Sequence, residues 1–151
     1  VGPQGPQGIP GGVLSYADFY ALMPDDNATP IAPGDTVDFP ENGVISDTGI
    51  TRTATDTFAL TSAGVYLVEF RVPVSAAGEL VLTLNGTELP YTVTGTDAAG
   101  TLAGVAVVDA TADDALITLR NPAANTDNVT VATAAAGAQP LSAHLTIIRL
   151  S

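Results

Sequence analysis

The sequence predicts an all-β protein: a jelly-roll sandwich of about ten antiparallel strands, trimeric, preceded by a short collagen-like segment. Three observations carry this. Short runs of β-branched and aromatic residues recur at a spacing of roughly 8 to 12 residues, each bounded by Gly, Pro, Asn or Asp. No apolar pattern of helical period is sustained anywhere. Glycine occupies positions 2, 5, 8 and 11 in strict phase, with Pro3, Pro6 and Pro10 between.

The opening run has the phase of a collagen chain, in which only glycine fits at the crowded axis. A Gly/Pro-rich flexible linker is the plainer alternative, but it demands no phase. The expected division is therefore residues 1–11 as the end of a Gly-x-y stalk and residues 12–151 as one globular head. Because the chain opens inside the repeat, it is expected to continue a longer stalk. A collagen stalk gathers three chains in register, so a head that follows it is expected to be a trimer.

The strands are expected in chain order as follows. Residues 13–20 form the first, and residues 37–39 a short edge piece closed by Pro40, which lacks a ladder donor. Residues 50–53 and 57–60 are two brief runs. Residues 64–72 alternate, placing Tyr66, Val68, Phe70 and Val72 on one face and Glu69 and Arg71 on the other. Residues 79–84 and 87–93 flank Asn85-Gly86, the dipeptide that supplies the positive φ angles of a two-residue type I′ hairpin turn. Residues 102–110, 115–120, 128–133 and 142–150 complete the set.

The 151 residues include sixteen acidic side chains, no lysine and only Arg52, Arg71, Arg120 and Arg149, for a net charge of −12. Such a surface repels phosphate backbones and anionic lipid, which argues against nucleic-acid or membrane partners. Cysteine is absent, so packing and association must provide the stability. Low charge content with abundant Ala, Thr and Val suits an extracellular β domain.

With these elements placed, a family comparison follows. Gly-x-y triplets feeding Val13-Leu14-Ser15-Tyr16-Ala17-Asp18-Phe19-Tyr20 resemble the C-terminal domain of the BclA-type collagen-like spore-surface glycoproteins. Those belong to the wider jelly rolls of tumour necrosis factor and the complement heads. Phe58, then five residues, then Gly64-x-Tyr66-x-Val68-x-Phe70 is similar to that superfamily's F-x5-G-x-Y-x-F-x-F/Y signature, with valine in place of one aromatic. The run 142–150 looks like the family's last strand.

The resemblance implies a homotrimer whose first and last strands adjoin its axis. The expected interface residues are Leu14, Tyr16, Leu145, Ile147 and Leu150, with Phe58, Tyr66, Val68 and Phe70 in the core. It further implies a structural, non-enzymatic head that nucleates and caps a collagen-like filament on the outermost layer, the exosporium, of a bacterial spore. The alternative is an adhesin head that binds a host receptor, a surface or a glycan through exposed loops.

Other chemistry has less footing. His144 is the single histidine and lies near Ser142, but no Gly-x-Ser-x-Gly elbow accompanies them. No cofactor is expected. Calcium is conceivable at Asp25, Asp26 and Asn27, at Asp47, or at Asp113 and Asp114, since hard oxygen ligands in loops suit it, although turn-forming Asp and Asn explain themselves structurally. The aromatics Tyr16, Phe19, Tyr20, Phe39, Phe58, Tyr66, Phe70 and Tyr91 are expected to pack rather than to form a ligand cage.

Overall fold

A computed structural model of the chain describes residues 1–8, 11–134 and 141–151. Ile9 and Pro10 of the Gly-x-y run lie outside the described residues. The strands are β1 (Ser15–Leu22), β2 (Glu41–Ile45), β3 (Ile50–Ala54), β4 (Thr57–Leu60), β5 (Gly64–Val74), β6 (Gly78–Leu84), β7 (Thr87–Glu88), β8 (Thr94–Thr96), β9 (Gly100–Ala110), β10 (Ala115–Arg120) and β11 (Leu141–Arg149). They form two antiparallel sheets. One runs β2-β1-β11-β5-β9; the other runs β3-β4-β10-β6-β7, with β8 also paired to β6.

Alternation along each strand turns one face of each sheet inward. From the first sheet come Phe19, Tyr66, Val68, Phe70, Leu145 and Ile147; from the second come Phe58, Leu60, Leu80, Leu82, Ile117 and Leu119, all essentially inaccessible. Phe58 is the centre of the aromatic packing, with ring centroids 4.5 Å from Phe19 and 6.1 Å from Phe39. The core is thus the layer between two sheets, the arrangement that a period of two on many short strands demands.

The Asn85-Gly86 turn joins β6 to β7, with Leu84 opposite Thr87 and φ of 51° and 80° at its two central residues. The Asn85 side chain adds a tie: its Oδ1 accepts from the Leu116 N–H of β10 at 2.9 Å.

Three expected strands differ. Residues 37–39 are buried at Val37 and Phe39 but bond outward singly, Val37 N to Leu119 O and Phe39 N to Thr55 O, so no ladder forms until β2. Residues 87–93 stop as a strand at Glu88, because Pro90 has no N–H to give and opens a 3-10 turn over Pro90–Thr92. Residues 128–133 contribute only isolated bridges, Val129 with Ile31 and Val131 with Val74, where two segments touch at single residues.

Candidate interaction face

The inward side of the first sheet is filled by the core; its outer side is bare, and the register shows what stands on it. Antiparallel pairing lines residues up across β1, β11, β5 and β9 in successive rows. The first row is Tyr20, His144, Arg71 and Ala103, with Glu41 of β2 beyond Tyr20. The second is Asp18, Thr146, Glu69 and Val105. The third is Tyr16, Ile148, Leu67 and Val107. Beyond it, Leu14 donates its N–H to Arg149 O and Leu150 donates to Val65 O, which carries Leu14, Leu150 and Val65 to the end of the face.

The face therefore divides. Its lower half is apolar, with Tyr16, Leu14 and Leu150 each about 45% exposed and Val107 more so. Its upper half is polar. There the His144 Nε2 lies 2.7 Å from the Asp18 carboxylate, and Thr146 Oγ1 donates to the same group at 2.9 Å. These side chains, with Glu69, Phe70 and Arg71, line a concavity of about 410 Å³. Gly43 of β2 backs the carboxylate: a Cβ there would fall 2.9 Å from Asp18 Oδ2, so any side chain would displace it.

This geometry corrects two of the expected interface residues. Leu145 and Ile147 are fully buried between the sheets and face the core. Their neighbours Thr146 and Ile148 stand on the outer side, because successive side chains of a strand point to opposite faces. Leu14, Tyr16 and Leu150 do lie on the bare side. Ile148, Leu67, Val105 and Val107, which the sequence did not single out, stand on the same outer side. The available signal was the apolar character of residues 147 and 148 together, which leaves one of the pair on each face.

The acidic loops are occupied with their own backbone. Asp26 Oδ2 accepts from Leu22 N, Asn27 exchanges two bonds with the Asp38 backbone, and Asp113 Oδ1 accepts from Ala63 N. The Gly49 N–H, helped by the Ser15 hydroxyl, holds the Asp47 carboxyl below its usual range. Among the described residues no three His, Cys, Asp or Glu side chains are grouped to hold a metal ion. The Ser142 hydroxyl donates to Ala21 O, and His144 is bonded to a carboxylate rather than to a hydroxyl, so the two do not form a nucleophile–base pair.

Comparison with known proteins speaks to the fold. No family model and no curated protein matches the sequence. Solved structures do match. In fold, the chain is similar to murine APRIL. The TM-score is 0.65 at 15% identity, over 90% of this chain and 98% of APRIL. Pika GITRL is similar at a TM-score of 0.50 and 15% identity, over 91% of this chain and 95% of that one. The APRIL-like architecture makes this a jelly roll of the tumour-necrosis-factor type. The similarity covers most of the chain and is one of backbone path, at 15% sequence identity.

Proposed function

We propose that residues 12–151 are the trimeric head of a collagen-like stalk, displayed on the surface of a bacterial spore, and that the head works by association without turnover. The observation that carries this reading is the bare apolar half-face of Leu14, Tyr16, Leu67, Ile148 and Leu150. An unpartnered sheet face of this composition marks an interaction site. The Gly-x-y run supplies the stoichiometry, since a collagen helix takes three chains. It joins β1 at the Leu14–Leu150 end of the same face, so three converging stalks would bring three such faces together.

A closed three-fold ring is heterologous and needs a second, different surface on each copy. The corner beside the β9 edge offers one. Tyr91 and Val93 are both exposed there, and the Tyr91 hydroxyl donates to Val107 O at 2.8 Å, fixing the ring against that edge. The expected packing sets this corner of one copy on the apolar half-face of the next. Three copies of a −12 chain carry −36, so the apolar contact must offset considerable mutual repulsion.

Light scattering coupled to size-exclusion chromatography tests the reading on residues 12–151 and on the complete chain. Each is expected at three times its own chain mass, which for the complete chain is 15.2 kDa. Monomers in both cases would refute it.

A further inference from the structure

Three of the four arginines are tied to the protein. Arg52 donates to Phe39 O and to the Asn42 carboxamide, Arg120 donates to Gly86 O and pairs with Glu88, and Arg149 donates to Ala63 O and Ser151 O. Arg71 is the exception. Among the described residues its guanidinium enters no ion pair and no hydrogen bond, although the chain has sixteen acidic side chains; the two ion pairs that form join Arg120 to Glu88 and His144 to Asp18. Glu69, two residues away on the same side of β5, is likewise exposed and without a bond among them. A cation and an anion that the fold does not use thus line the concavity of about 410 Å³.

The rest of the lining is fixed. His144 Nε2 and Thr146 Oγ1 hold the Asp18 carboxylate, and Gly43 leaves it the space it occupies. His144 and Thr146 are the cross-strand neighbours of Arg71 and Glu69, so a braced pair of polar groups stands beside a free pair. The Tyr20 ring lies next to His144, with centroids 6.0 Å apart. The volume falls in the range of small-molecule sites, while the lining is far more polar than most of them, which suits a ligand that hydrogen-bonds on several sides.

We propose that this concavity binds a neutral sugar, a pyranose ring with vicinal hydroxyls, as one unit of a glycan. The charges decide the class. An anion meets Asp18 and Glu69 on a chain of net charge −12, and a metal ion meets the Arg71 guanidinium. A neutral ligand whose hydroxyls both donate and accept satisfies the two signs together. One hydroxyl donates to the Glu69 carboxylate and its neighbour accepts from Arg71, and both bonds are charge-assisted. The Tyr20 ring supplies apolar surface for the C–H groups of the sugar. The site belongs to one chain, on the half of the face that the expected packing leaves uncovered, and does not rest on the trimeric reading.

The test is a nuclear magnetic resonance titration of the isotope-labelled full chain with the methyl glycosides of glucose, mannose, galactose and fucose, and separately with glucuronate and with glycine. Saturable shifts at Glu69, Arg71, His144 and Thr146 are expected with at least one of the glycosides, and weaker or no binding with glucuronate and glycine. Arg71→Gln and Glu69→Gln should each weaken the sugar at least about tenfold, the loss of one charge-assisted bond. Both should leave the thermal midpoint in place, because neither side chain bonds within the fold. Glu79→Gln, which removes an exposed carboxylate on the other sheet, should change nothing. No saturable shift with any glycoside, binding of glucuronate or glycine as tight as that of any glycoside, or sugar binding that survives both substitutions overturns the proposal. Binding is read per chain, so a head that proves monomeric removes the trimer and leaves this test unaffected.

Discussion

Ile147 and Ile148 are neighbours in sequence and lie on opposite sides of β11: Ile147 is sealed between the two sheets, and Ile148 stands half-exposed on the bare outer face opposite Tyr16. The two side chains have the same chemistry and different work. An Ile147→Asp change puts an unpaired charge in the core and is expected to cost on the order of 4 kcal/mol or more, enough to unfold the head. Ile148→Asp is expected to leave a folded monomer. Circular dichroism and light scattering together separate the outcomes, and an Ile148→Asp protein that remains trimeric would remove the apolar half-face from the interface.

Gly104 of β9 faces Phe70 of β5 across the ladder, and a Cβ at this position would sit 2.4 Å from the ring. The ring is buried. Gly104→Ala is therefore expected to destabilise by about 1–3 kcal/mol through overpacking. An unchanged thermal midpoint would mean that the ring moves at no cost.

The Tyr66 hydroxyl donates to Ser62 O at 2.7 Å, and burial pushes its phenol above the ordinary value. Tyr66→Phe should cost about 1 kcal/mol by orphaning that carbonyl. The folded state holds the phenol proton longer than the unfolded chain does. The associated stability is complete below about pH 10 and falls as pH rises from there through the folded value. Urea midpoints measured into the alkaline range should fall more steeply for the wild type than for Tyr66→Phe.

Asp47 ties the entry of β1 to the turn before β3 through Ser15 and the Gly49 N–H. Its carboxyl is held low, chiefly by that N–H, so its contribution is present above the ordinary carboxylate value and is lost as pH falls through the lower, folded one. The group is exposed and the effect small. Acid denaturation curves of Asp47→Asn should nevertheless show a shallower loss of stability than the wild type, and identical curves would assign the bond no role in folding.

Much of the β fold was legible in the residues because the informative signals are local. The alternation at 64–72 needs only a period of two, and the Asn85-Gly86 turn needs only the backbone angles that those two residues tolerate. The last strand resisted reading for a physical reason. Leu145, Ile147, Ile148 and Leu150 put apolar side chains on both faces, so the pattern does not say which face meets the core. Residues 128–133 resisted for another: Val129 and Val131 are buried by partners far away in sequence, Ile31 and Val74.

From composition and periodicity alone come the all-β class, the many short strands, the phased glycines at positions 2, 5, 8 and 11 and the absence of cysteine, since each depends on residue type or on neighbours a few positions apart. Tertiary structure decided which side of the first sheet is left bare, that Ile148 and not Ile147 stands there, and that Asp18, Thr146 and His144 meet. Those facts depend on pairing β1 with β11 across more than a hundred residues of chain, and a one-residue slip in that register would have exchanged the two faces.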